Sequence, residues 1–279
     1  MDLDAHIADF VRQGDPDRYI STLYAPECRR GTLLALYAFS IEVGSVRDRV
    51  REPLAGEIRL QWWRDVIEAG SEAGQGSPVA EALMKAVAAH DLPRQPLLDL
   101  LEAKIFDLYD DPMPSRNDLE GYCGETASVI FQLAALILDP QAARSVSDLA
   151  GHAGCAYAIA NIARTLPRHL ARGQCFIPLD ILTAVGTDAP ALVERRDREG
   201  ATRAVSAFAA LGSEHANDFR EQARSMPAIL RPAFLPVATA PAYLARIAAR
   251  PAEVLDRPVD ISPLRRHWRL FRHAARGWN

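Results

Sequence analysis

Residues 26–48, PECRRGTLLALYAFSIEVGSVRD, contain the pattern that decides the fold. Apolar or small residues recur three and four positions apart along this stretch, which places them on one face of a helix. They are Leu33, Leu36, Tyr37, Ser40, Ile41 and Gly44. Pro26 suits the first turn of such a helix, and Pro53 limits its far end. The stretch therefore predicts a long helix with one apolar side.

The same spacing recurs between proline and glycine residues along most of the chain. Helical runs are predicted at about 54–69, 78–90, 94–110, 116–138, 142–171, 193–225, 230–249 and 262–275. Residues 70–77 and 173–187 lack the pattern, but both stretches are too short to be linkers between domains. Aromatic residues make up only 7% of the chain, and alternating strand patterns are scarce. The sequence thus predicts an all-α fold in a single domain over residues 1–279.

Composition and charge exclude several classes of protein. The chain has 279 residues, of which 49% are hydrophobic and 24% are charged, so it can bury a sizeable core. Its net charge of −4 argues against a general nucleic-acid binder. The first residues are acidic where a signal peptide needs Lys or Arg, and no run of about 18 uninterrupted apolar residues follows. These features predict a cytoplasmic protein.

The positions of the cysteines also favour the cytoplasm. Cys28, Cys123, Cys155 and Cys175 lie too far apart for a paired-cysteine zinc or redox motif. We expect the last three to be small buried hydrophobic residues in a protein of a reducing compartment.

Three further segments define the family resemblance. They are QWWRD at 61–65, DLEGYC at 118–123 and NIARTLPRHLARGQCFIP at 161–178. Together with residues 26–48, and in this order, they resemble the squalene and phytoene synthases from about Tyr19 to the C-terminal helix. The resemblance implies the class I terpenoid (isoprenoid) synthase fold, a helical bundle around a central cavity. In active members, two aspartate-rich motifs face each other across that cavity and hold magnesium ions that bind two prenyl diphosphates.

This chain departs from the family at the positions that carry the chemistry. In the first motif, Gly44 and Ser45 replace aspartates and Asp48 remains. In the second motif, Thr165 and His169 replace aspartates. The resemblance places the following degenerate motif positions around the cavity: Tyr19, Gly44, Ser45, Asp48, Asn161, Arg164, Thr165, Arg168 and His169. The Ser-Phe pair that precedes the family's tyrosine is Asp17-Arg18 here.

The remaining residues argue against the family's reaction. Mg²⁺ requires hard oxygen ligands, chiefly carboxylates, and a single aspartate cannot offset the dehydration of several ions beside diphosphate. We therefore predict no catalytic residue, no metal site and no cofactor; magnesium enters only if the chain is an enzyme after all. His169 could serve as a ligand beside Asp48, but two ligands without a third are weak evidence for a metal site, so we expect a histidine on a polar helix face.

One branch of the family resembles the chain in more detail. A mitochondrial assembly factor for respiratory complex I has also lost its aspartates, and it shares Phe39, Glu42 and Arg47-Asp48, the Gln61 to Trp63 segment and the turn from Phe176 to Asp180. This resemblance implies a pseudoenzyme that acts as an assembly or scaffold factor. Its partners would be a complex I subunit or assembly intermediate, with an isoprenoid or lipid as a further ligand.

Two alternatives stay open. Besides the assembly factor, the chain could be a head-to-head prenyl transferase whose metal ligands lie outside the usual positions, or a lipid-binding module without a link to respiration. The segment 264–278 bears on the partner question, because arginines alternate there with apolar residues. Such a basic amphipathic helix suits peripheral contact with an anionic membrane or a partner, and a plain surface helix with solvated arginines is the alternative.

Overall fold

Helices make up the regular structure of the chain. The computed structural model describes residues 3–70 and 74–278, and no strand occurs within these ranges. The α-helices are α1 (Leu3–Gly14), α2 (Pro16–Leu23), α3 (Glu27–Gly44), α4 (Val46–Arg49), α5 (Pro53–Ala69), α6 (Pro78–His90), α7 (Gln95–Ala103), α8 (Arg116–Cys123), α9 (Val129–Leu138), α10 (Pro140–Ala143), α11 (Ser147–Arg164), α12 (Leu166–Leu170), α13 (Leu179–Ala184), α14 (Ala189–Val193), α15 (Arg198–Gln222), α16 (Arg231–Phe234), α17 (Ala240–Ala249), α18 (Pro251–Val254) and α19 (Pro263–Arg276). The predicted all-α class is confirmed.

Several predicted runs are divided by local breaks. The first run is two helices, because α3 ends at Gly44 and Ser45 donates its hydroxyl to the Glu42 carbonyl at 2.9 Å. A side chain that bonds the last carbonyls of a helix favours its termination. The run at 142–171 is likewise divided into α10, α11 and α12. The sequence patterns did not predict α1, α2 or α13, and α13 lies inside the stretch 173–187 that they described as irregular.

The bundle has two groups of helices around a shared core. In one group α11, α15 and α17 pack against each other, and in the other α3 packs against α1, α6 and α9. Helix α9 also contacts α11, so it joins the two groups. The buried apolar residues form one continuous cluster that extends from Ile7 to Trp278. The assignment of residues 1–279 to a single domain stays a prediction.

Two apolar helical stretches are long enough to cross a membrane. They cover 116–138 and 228–249, and most of each is buried inside the bundle. Burial in the protein core accounts for such composition without a membrane. Cys123, Cys155 and Cys175 are buried as predicted, whereas Cys28 is exposed.

Candidate functional site

The first motif lies where α3 passes into α4. Gly44 is exposed at the end of α3, Ser45 occupies the junction, and Asp48 lies in the single turn of α4. The Asp48 carboxylate forms an ion pair with Arg172, which follows α12. The structure therefore brings the first motif and the segment after the second motif together, but as an aspartate–arginine pair.

The second motif forms the end of α11 and the start of α12. The Asn161 amide oxygen accepts a bond from Arg164 Nε at 2.8 Å. The Thr165 hydroxyl donates to the Asn161 carbonyl at 2.7 Å and lies 3.2 Å from His169 Nε2. These side chains form hydrogen bonds with one another and with the backbone across the break between the two helices, so their polar atoms are used at the end of α11.

His169 does not lie on a solvated polar face, and that interpretation was wrong. Its ring packs edge-on against Phe176, with the ring centroids 4.9 Å apart. Burial lowers the pKa of His169, which favours the neutral ring. The turn at Gly173 places Phe176 over the His169 ring. Gly173 has a φ of +79°, the chain reverses there, and Gln174 N donates to the His169 carbonyl at 3.0 Å. Arg168, one residue earlier, is exposed.

The residues before Tyr19 enter the core, which the sequence patterns did not reveal. Arg18 is 5% exposed and lies between the rings of Tyr37 and Tyr157, 5.3 and 5.2 Å from their centroids. Its guanidinium donates to Ser40 Oγ at 2.8 Å and lies 3.6 Å from the Asp15 carboxylate. Tyr19 itself is partly buried against the core. A charged residue is thus buried at the position where the resemblance places an aromatic one.

Asp17 joins this interior to the C-terminal helix. Its carboxylate lies 3.3 Å from Arg266 Nε of α19, and the same arginine donates to Tyr243 Oη at 2.8 Å. The Arg164 guanidinium stacks over the Tyr243 ring at 5.1 Å, which places the second motif next to this pair. Burial and the neighbouring Asp15 raise the pKa of Asp17 to about 6, although Arg266 and Arg164 oppose the shift.

The pKa of Asp17 gives a pH-dependent stability that can be measured. Because the folded value of about 6 exceeds the ordinary 3.8, the folded chain binds more protons between these values. The free energy of unfolding therefore falls as pH rises through this range, by about 3 kcal/mol from this group alone. Asp17→Asn should remove this component when urea unfolding of both proteins is compared at about pH 4 and about pH 7.

Asp148→Asn, at an exposed acid of α11, is the matched control and should keep the wild-type pH dependence. An Asp17→Asn protein with the same pH dependence as the wild type would contradict the assignment.

The residues at the motif positions do not fit the magnesium–diphosphate cluster of the family. The carboxylate of Asp48 is neutralised by Arg172, and the former acidic positions hold Thr165 and His169, which contact each other. Within residues 3–70 and 74–278, no group of three or more His, Cys, Asp or Glu side chains is arranged to hold a metal ion. Divalent magnesium prefers several oxygen donors. That the chain has no catalytic residue, metal or cofactor stays a prediction.

Comparison with known proteins agrees with the arrangement of helices and motifs. Residues 11–265 match the family described as squalene/phytoene synthase. A mouse protein named NADH dehydrogenase (ubiquinone) complex I, assembly factor 6 is 30% identical over 246 residues, covering 86% of this chain and 72% of the mouse protein. The presqualene diphosphate synthase of Zymomonas mobilis is 27% identical over 177 residues, covering 60% of this chain and 58% of that enzyme.

The fold can be compared directly with a solved structure. The crystal structure of squalene synthase HpnC from Alicyclobacillus acidocaldarius superposes with a TM-score of 0.72 at 22% identity, covering 92% of this chain and 95% of that one. This likeness shows the class I terpenoid synthase fold that the motifs implied. Since the helical bundle, the order of the motifs and the match over nearly the whole sequence agree, the chain belongs to the squalene/phytoene synthase family.

Proposed function

We propose that this protein is a non-catalytic member of its family that assists the assembly of respiratory complex I. The likeness to the mouse complex I assembly factor 6 over 86% of the chain carries the proposal. The ion pair between Asp48 and Arg172 supports the non-catalytic part, because it occupies the carboxylate that remains from the first motif. A scaffold that has lost its metal donors can still present a surface to partner proteins.

Prenyl transfer is the second candidate. The 27% identity to a presqualene diphosphate synthase favours it, since that enzyme shares 177 aligned residues with this chain. The donor groups oppose it, because an arginine and a histidine stand where a magnesium–diphosphate cluster needs acids. Magnesium would be a cofactor only in this case.

The face of α19 supports the proposal that the protein contacts a membrane. Leu264, Trp268 and Phe271 recur at four and three residues and are 81%, 62% and 51% exposed. Arg265 and Arg272 flank this apolar stripe and are also exposed. An amphipathic helix of this kind inserts its apolar side into the boundary of an anionic bilayer while the arginines bind head groups. We place the protein in the cytoplasm, peripheral to the inner membrane.

Deleting the gene in the organism of origin tests the assembly role. Membranes of the deletion strain should lose most of their NADH oxidation through complex I, and the wild-type gene should restore it. A gene encoding Trp268→Gln and Phe271→Gln should restore it less well and yield less protein in the membrane fraction. Ile229→Gln is the matched control, because Ile229 is an apolar residue outside α19 with 39% exposure. This variant should restore complex I activity as the wild-type gene does.

Unchanged complex I activity in the deletion strain would refute the assembly role and leave a lipid-binding module. Purified protein that converts farnesyl or geranylgeranyl diphosphate with Mg²⁺ would instead establish the enzymatic alternative.

A further inference from the structure

A cleft of about 560 Å³ lies between the junction of α3 with α4 and helix α5. Glu42 at the end of α3 and Val46 and Arg49 of α4 line it on one side. Asp48, in contrast, pairs with Arg172 and does not line the cleft. The cleft is therefore separate from the motif positions at which the family holds diphosphate.

The floor and one wall of the cleft are aromatic and aliphatic. Trp63 is 2% exposed and is fixed by edge-on contacts with Phe39 and Trp62, whose ring centroids lie 5.0 and 5.1 Å away. Ile58 and Trp62 form the wall and are 63% and 39% exposed. Large apolar side chains that remain exposed next to a concave surface are typical of ligand-binding sites.

The charges around this apolar surface are mainly positive. Arg49 and Arg59 both line the cleft, and neither has an ion-pair partner within 4.0 Å among the residues that the structure describes. Both act electrostatically on the half-buried Glu42 carboxyl, so the three groups lie around the same opening. Burial raises the pKa of Glu42, while the two arginines oppose that shift.

The geometry points to a binding site for one anionic amphiphile, with its apolar chain along Ile58 and Trp62 and its carboxylate or phosphate head between Arg49 and Arg59. Guanidinium groups match the planar, multidentate oxygens of these head groups. A volume of about 560 Å³ falls in the range of small-molecule pockets, about 300–1,000 Å³.

This inference gives the proposed lipid ligand a binding site. It rests on the proposed function only for the class of ligand. The complex I role is tested in cells and amphiphile binding is tested with purified protein, so each can fail without the other.

Calorimetric titration of the full chain with dodecyl phosphate, below its critical micelle concentration, tests the site. Binding should saturate at one molecule per chain and should change the fluorescence of the cleft tryptophans. The double variant Arg49→Gln and Arg59→Gln should weaken binding by about tenfold or more, since two charge-assisted contacts are lost. Trp62→Ser should weaken it through loss of apolar contact.

Matched variants elsewhere on the surface separate the site from general effects. Arg144→Gln with Arg224→Gln removes two exposed arginines, and Ile229→Ser removes an apolar residue with the same 39% exposure as Trp62. Both should bind as the wild type does. The inference is overturned if dodecyl phosphate does not saturate, if the cleft variants bind unchanged, if dodecyltrimethylammonium binds equally well, or if binding occurs only to phosphatidylglycerol vesicles.

Discussion

Asp15→Ala is expected to lower the free energy of unfolding by about 3–5 kcal/mol, because it leaves a buried charge without its partner. One Asp15 oxygen caps α2 by accepting from Arg18 N at 3.0 Å. The other accepts from Tyr157 Oη at 2.8 Å and lies 3.6 Å from Arg18 Nε. Since Arg18 is almost fully buried between two tyrosines, water cannot replace the lost carboxylate. Urea unfolding at neutral pH measures the loss.

Two variants separate the charge from the helix cap. Asp139→Ala removes the cap of α10, where the carboxylate accepts from Gln141 N and Ala142 N. It leaves no buried arginine without its carboxylate partner. It should cost only about 1 kcal/mol. The double variant Asp15→Ala with Arg18→Met removes both charges and should recover much of the loss. Equal costs for Asp15→Ala and Asp139→Ala would show that the ion pair adds nothing.

Gly154→Ala is expected to cost about 3 kcal/mol or more, because a methyl group at this position has no room. Its Cβ would lie 2.6 Å from Ser128 Cα and still closer to the Ser128 backbone nitrogen and hydroxyl. Backbone atoms cannot turn aside as a flexible side chain can, so α11 would have to move away from the π-helical turn at Gly124–Ser128. Thermal and urea unfolding should both show the loss.

Gly151→Ala, one turn earlier in the same helix, is the matched control. Nothing lies within 4 Å of the Cβ that it would add. Alanine lowers the conformational entropy of the unfolded chain, so this variant should gain about 0.5–1 kcal/mol. If the two alanine variants change stability alike, the close contact between α11 and Ser128 is not a constraint on this fold.

The sequence predicted the main helices well where an apolar stripe is long and its ends are marked. Helix α5 begins at Pro53 and α6 at Pro78, and the predicted runs agree with them within a residue or two. Helix α2 was missed because its buried face includes the charged residues Asp17 and Arg18. Charged residues are rarely buried, so periodicity could not reveal that these two face the core.

At the candidate site, too, some features could be predicted from the sequence and others could not. Loss of the aspartates at Gly44, Ser45 and Thr165 could be seen in the sequence, since it depends only on which residues stand at matching positions. That Arg172 neutralises Asp48 could not be seen, because the two residues lie far apart in the chain and meet only through packing. That Phe176 covers His169 depends on the turn at Gly173 between them. A short polar segment has no periodicity that would predict such contacts.

The sequence by itself determined the helical class, the order of the motifs and the replacement of aspartates by Gly44, Ser45, Thr165 and His169. These properties follow from residue types and their spacing along one chain, which local geometry converts into helix faces. Only the tertiary structure decided that Arg18 is buried with Asp15, that Gly154 must lack a side chain, and that Arg49 and Arg59 share a cleft with Trp62. Each of these depends on how one helix packs against another, and packing of the whole bundle fixes those distances.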